Sequence, residues 1–398
     1  MLTAGYGLAM NPRIALALAL AACTSTADDT GADPGTDPGT DPTACHATPL
    51  PEDAVRKLVL SHPYGTPAGE YVGDYAVYSF DPSDASIAGP DERFAMLPGM
   101  GGVIAFTPDG QIGAVAQRDG TVGVFRFEAD GSVTVVHESY GDGVFYTEEV
   151  LMDPSGSALW VVDGNWVENG GGIYRVDLAC DGTLSSPRRV FTAKQPSGMS
   201  LSRAHPGQGF VSARALGDEP VGTNAFLLDL AQEQVLASVA AFPDDESFLS
   251  HAALSDDGLV GVVGDNNEFT STPNRVARLA AGDGTLVSEG SIDVYDPTWF
   301  VPSPFDDGFL VASSYDDALV WLRRTSSGLE AGGKVASAPL PGGGVRLTRG
   351  VGRGAVLFAE LTGVHVIKLS GGGQVTDGGA WSAGSGYSAM VGAIGLQP

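Results

Sequence analysis

Lysine is nearly missing from this chain: 398 residues hold only four, and Lys and Arg together make 21 against 48 Asp and Glu, a net charge of −27. That field repels nucleic acid and anionic lipid headgroups, and both are excluded as partners of the folded surface. Helix formers are thinned by 56 Gly and 25 Pro, which excludes a helical protein. With three cysteines there is no CxxC pair, and no GxSxG, HExxH or GxxxxGK[ST] occurs, so the common redox, hydrolase, zinc-protease and nucleotide signatures are missing. No apolar run is long enough to span a bilayer; the longest, IALALALAA at 14–22, is a signal-peptide core in length.

What is there begins at that run. Arg13 precedes it, and Leu20-Ala21-Ala22-Cys23 follows, resembling the lipobox of bacterial lipoproteins. The resemblance implies a signal peptide over 1–22, with a start at Met10, and acylation of Cys23. With Thr24 after the cysteine it implies the outer membrane of a two-membrane cell. Residues 24–44 repeat Asp-Pro-Gly-Thr with no large apolar side chain, so 23–50 reads as a lipidated, disordered tether.

From residue 51 the chain is punctuated differently. Residues 105–136, AFTPDGQIGAVAQRDGTVGVFRFEADGSVTVV, place Asp-Gly pairs at 109, 119 and 130 between short apolar runs, as antiparallel strands joined by tight turns require. The unit recurs, and Gly110, Gly156, Gly207, Gly258 and Gly308 keep a period near 50. A four-stranded sheet apolar on both faces must be covered on both, so such units stack radially. The chain beyond the tether holds seven. The first offers only RKLVLSH, YAVYSF and RFAML, and 388–396 resembles the inner strand it lacks. The reading for 51–398 is therefore all-β: a seven-bladed β-propeller of four-stranded antiparallel blades, the first closed by the C-terminal strand. In blade pattern it resembles lactonase-like and quinoprotein-like propellers. Cys45 and Cys180 are within reach of a disulfide, since ten extended residues span about 33 Å; two unpaired thiols are the alternative.

Candidate site residues follow from position. The second-strand ends carry His62, Asp119, Asp163, Arg214, Asp265, Asp316 and Glu360, an ionisable rim at the channel mouth. Clustered carboxylates collect a cation, and Asp163 with Asn165 and Asp265 with Asn266 are the expected Ca²⁺ ligands; Asp is equally favoured simply because strands turn there. Glu149, Ser200 and His251 are spaced by 51 and 51, so equivalent inner-strand positions are expected to face one channel as acid, hydroxyl and base. They serve equally well as partners for backbone groups. Trp166, Trp299 and Tyr315 would add an aromatic platform. Two functions fit: a membrane-tethered binding scaffold taking a protein, peptide or saccharide at the acidic face, or a divalent-cation-dependent lactonase-like hydrolase.

Overall fold

The computed structural model describes residues 45–64, 71–165, 170–213, 223–242, 249–266, 274–383 and 391–398, all in one compact unit. The turns form as their residues dictate. The Asp109 carboxylate accepts from Thr107 Oγ1 at 2.7 Å and from the Gln111 amide at 3.0 Å, while Gly110 takes φ 71°, where a side chain would be strained. Asp119 and Asp130 repeat the device with Thr121 and Ser132.

Among the described residues the strands make seven four-stranded antiparallel blades. The innermost strands are Ala393–Leu396 in blade 1, Gly99–Phe106 in blade 2, Thr147–Met152 in blade 3 and Pro196–Leu201 in blade 4. Leu249–Leu254, Pro297–Pro302 and Gly344–Arg346 serve blades 5 to 7. Blade 1 takes its outer three strands, Arg56–Tyr64, Tyr71–Asp81 and Ser86–Ala95, from the start of the ring. Its inner strand comes from the end: Leu58 to Ser61 pair antiparallel with Leu396 to Ala393. On its other edge Ala393 and Ile394 pair parallel with Gly102 and Val103 of blade 2.

Period-two alternation closes the ring, because it sends successive side chains of one strand to opposite neighbours. Leu58 and Leu60 enter a core shared by blades 1 and 7. Val59, between them, enters the core shared by blades 1 and 2. Every one of the seven interfaces has such a cluster.

The tether does not reach residue 50 as a free linker. Cys45 is bonded to Cys180 on the third blade. The His46 ring, 4% exposed, sits between Asp109 Oδ2 at 2.7 Å and the Cys180 carbonyl at 3.0 Å. The segment is thereby pinned beneath blades 2 and 3. Residues 1–44, including Cys23, lie outside the described residues, and no described helix is long and apolar enough to cross a membrane.

Candidate functional site

The innermost strands all start at the same end of the ring, so the first few residues of each surround one channel mouth. A recess of about 680 Å³ opens there, with Glu148, Glu149, Ser197, Ser250, Thr298 and Trp299 among its lining residues.

Glu149 is the best-defined polar group in it. Its Oε2 accepts from the Met199 amide of blade 4 at 3.0 Å, and its Oε1 lies 3.4 Å from His251 Nε2 of blade 5. Both residues are about 5% exposed: Glu149 4% and His251 5%. The carboxylate reaches across blade 4 because that blade presents Gly198 at this level. A Cβ there would lie 2.9 Å from the Ala252 nitrogen and His251 Cδ2. On its far side the imidazole stacks on Trp299 of blade 6, ring centroids 3.9 Å apart and planes 24° apart. The indole edge in turn meets blade 2 at Gly102, where a Cβ would come within 2.6 Å of Trp299 Cζ3. Five blades thus lock one carboxylate–imidazole–indole row across the axis.

His251 Nδ1 is buried with no hydrogen-bond partner. A neutral ring donating from Nε2 to Glu149 leaves only a lone pair at Nδ1, a smaller burial cost than an N–H there.

Ser200 is not part of this row. Glu149 pairs with Val162 and Gly198 with Ser212, each one residue from the end of its second strand, whereas Ser200 pairs with Phe210 further along. Its hydroxyl accepts from the Leu254 amide at 3.1 Å and joins blades 4 and 5. Equal sequence steps fail here because consecutive blades differ in length. Trp299, expected as part of an aromatic platform, lies in the inner strand Pro297–Pro302.

The expected acidic rim is largely drawn inward. His62, Asp163, Asp265 and Glu360 are buried; Asp119 is exposed in a turn, and Asp316 is exposed at the end of the 3-10 helix Ser314–Asp316. Arg214 and Trp166 lie outside the described residues. The second-strand ends are polar for a structural reason, since they hold the loop that leads into the inner strand. Asp163 Oδ1 accepts from the Tyr146 and Asn165 amides at 2.9 and 3.0 Å. Gln117 Nε2 donates to the Leu97 carbonyl at 3.2 Å, and Ser313 Oγ donates to the Tyr295 carbonyl. Burial raises the Asp163 pKa, opposed by those two amides. Asp265 Oδ2 faces Arg275 Nε at 3.4 Å, and Glu360 Oε2 faces His365 Nδ1 at 3.3 Å. Among the described residues no three His, Cys, Asp or Glu side chains converge where a metal ion could be held. Within the expected set, Asp163 Oδ1 is taken by two amides and Asp265 Oδ2 faces a guanidinium.

Of the residues expected at the site, the recess gathers Glu149, Asn266, Trp299 and Tyr315. It adds Glu148, Ser197, Ser250, Asp296, Thr298 and Ser314, which sequence reasoning missed. Ser250 sits next to His251, already singled out, and Ser197 next to Gly198 at the same level. Their side chains turn to the mouth because neighbours on a strand point to opposite faces.

No family model matches this chain, and no curated protein matches it. Solved structures do. The periplasmic gluconolactonase of Pseudomonas aeruginosa is 17% identical, with 85% of this chain and 99% of that one covered and a TM-score of 0.61. A candidate 6-phosphogluconolactonase of Bacteroides uniformis is 12% identical over 86% and 99%, TM-score 0.62. Hydrazine synthase of Kuenenia stuttgartiensis is 13% identical over 78% and 96%, TM-score 0.55. Likeness at this level is likeness of fold, and the three names span unrelated chemistry. The chain is a β-propeller similar in fold to lactonase propellers.

Proposed function

We propose that the channel mouth binds a polyhydroxylated small molecule, a sugar or sugar lactone. The observation that carries this is the make-up of the recess: the hydroxyls of Ser197, Ser250, Thr298 and Ser314 and the carboxylates of Glu148 and Asp296 stand around the indole of Trp299. An aromatic surface takes the C–H face of a sugar, and surrounding acceptors take its hydroxyls. A recess of about 680 Å³ suits one or two rings.

A second reading, lactone opening, is favoured by the buried contact of Glu149 with His251 and by two fold neighbours, a gluconolactonase and a candidate 6-phosphogluconolactonase. Glu149 lines the recess, and the Met199 amide and His251 fix its orientation from behind. As general base it would take a proton from a water whose oxygen attacks the lactone carbonyl. The ring C–O bond then breaks, and the proton passes to the departing ring oxygen, giving the open hydroxy acid. His251 is a positioning residue, since its ring lies behind the carboxylate.

The test is calorimetry with D-glucono-1,5-lactone, gluconate and glucose, followed by proton release from the lactone in a pH-stat against the spontaneous rate. Glu149→Gln should keep binding within a few-fold while lowering any catalysed rate by about 100-fold or more. Binding without catalysis in the wild type leaves the sugar site and removes the hydrolase. No saturable binding at millimolar ligand refutes both. We infer further that acylated Cys23 holds the propeller at the outer membrane, an arrangement supported by the lipobox-like Leu20-Ala21-Ala22-Cys23 and the apolar-free stretch after it.

A further inference from the structure

The opposite end of the channel has chemistry of the other sign. There the innermost strands finish at Phe106, Met152, Leu201 and Arg346, and a second recess of about 470 Å³ is lined by these residues and by Arg203 and Arg349. In a chain of net charge −27, three guanidiniums share one cavity.

Their partners do not use them up. Arg346 is committed, in a two-pronged pair with the Asp256 carboxylate at 2.5 and 3.0 Å. Arg203 stands 3.8 Å from that same carboxylate, beyond hydrogen-bonding distance, with its side chain 54% exposed. Arg349 reaches the Leu50 carbonyl and a terminal oxygen of Pro398, both only at the long limit of a hydrogen bond, 3.4 and 3.5 Å. Next to it Arg56 is 1% exposed, with Nε and Nη1 lacking hydrogen-bond partners. Burial is the first cause holding the Arg56 pKa down and Arg349 the second, against Asp53 and Glu52. Burial also leads for Arg203; Asp256 opposes it, and Arg346 and Arg349 add to it. Asp153, also on the wall, is occupied by Ser155 and the Trp160 indole N–H. Like charges gathered at a half-closed mouth are relieved by an anion that bridges them. Beside them Phe106, Met152, Leu201 and Pro49 give the recess an apolar wall.

We propose that this recess binds a small organic carboxylate, its head group on Arg203 and Arg349 and its apolar body against Phe106, Met152 and Leu201. A carboxylate matches the planar fork of a guanidinium in two parallel hydrogen bonds, and the apolar wall would reject a bare inorganic ion, which has nothing to place there. The site lies at the other end of the inner strands from Glu149, so its occupation is independent of the sugar site.

Calorimetry on the full chain at low ionic strength tests it, with benzoate as probe, benzyl alcohol as its uncharged match and inorganic phosphate as the bare anion. Benzoate should bind saturably with one site per chain and weaken as salt is raised. Arg203→Ala and Arg349→Ala should each weaken it by about tenfold or more, the loss expected for one charged hydrogen-bond partner. Arg93→Ala, on an exposed side chain of blade 1, should leave it unchanged. If an alanine variant fails to fold, the glutamine variant keeps the aliphatic stem and is read instead. Absence of saturation, binding retained in the Arg203/Arg349 double variant, or equal binding of benzyl alcohol would overturn the proposal. Saturable phosphate binding without benzoate binding would do so too.

Discussion

Cutting the chain after Gly392 removes the strand that closes the ring, and the structure sets the size of the loss. Ile394 is fully buried and Leu396 is 7% exposed, both in the core between blades 1 and 7. At about 1.5–3 kcal/mol for each fully buried aliphatic side chain, these two alone contribute about 3–6 kcal/mol. The strand also pairs with Leu58–Ser61, each lost ladder hydrogen bond costing about 0.5–1.5 kcal/mol net. Gln397 adds a clamp, donating to the Gly110 carbonyl at 2.7 Å and accepting from the Lys57 amide at 2.8 Å. The total, about 5–10 kcal/mol, is comparable to the whole stability of a typical domain, about 5–15 kcal/mol. The newly bared edge of Arg56–Tyr64 is moreover a template for aggregation. We expect the truncated chain to be insoluble or to unfold without a cooperative urea transition, and a synthetic peptide of residues 391–398 added during refolding to restore it. Ile394→Ala in the intact chain should cost about 2–5 kcal/mol. A truncated protein whose urea midpoint and slope match the full chain would refute the closure argument, because the inner strand would then carry no net free energy.

Other consequences are directly measurable. Burial, helped by Arg93, lowers the His62 pKa to about 4. The unfolded chain, titrating near 6.5, then binds the proton first as pH falls, so stability should decline by about 3 kcal/mol between pH 6.5 and 4. His62→Gln should flatten that decline, and an unchanged slope in urea unfolding across this range would refute the assignment. His365 has the opposite sign: its hydrogen bond to Glu360 leads the causes that raise its pKa. Its contribution is full below about pH 6.5 and fades as pH rises through the folded value, and His365→Gln should remove this alkaline-side loss. The Cys45–Cys180 bond encloses a loop with a sequence separation of 135, for which chain entropy gives about 5 kcal/mol as an upper figure. Cys45→Ser/Cys180→Ser should lower the urea midpoint accordingly, and a midpoint insensitive to reductant in the wild type would argue against it. Cys23→Ser should move the protein from the membrane to the soluble fraction; membrane partitioning equal to wild type would remove the lipid anchor.

How much of this was legible in the sequence depends on the range over which each feature is decided. Asp109-Gly110 and its repeats announced the strands because a turn is chosen by the φ a residue can adopt and by hydrogen bonds two residues away. The alternation of apolar residues on both faces called for a neighbour on each side, and the period near 50 counted the blades. Those are local or periodic properties, and they carried the reading from Asp-Gly pairs to a ring closed by the C-terminus. The site was decided at longer range. Glu149 and His251 come together because register sets Glu149 opposite Val162, a register shift between Leu249 and Ala252 places His251, and Gly198 of the blade between them has no side chain. Counting equal steps along the chain put Ser200 at that level, since a loop of different length shifts the count without shifting the register. Likewise the polar second-strand ends read as a rim, and only the fold showed that Asp163 turns Oδ1 to the amides of Tyr146 and Asn165. Arg203, Arg346 and Arg349 carry no mark in sequence at all. They meet because inner strands far apart in the chain end at one mouth, and a side chain's electrostatic surroundings are set by distance in space, which only the closed ring defines.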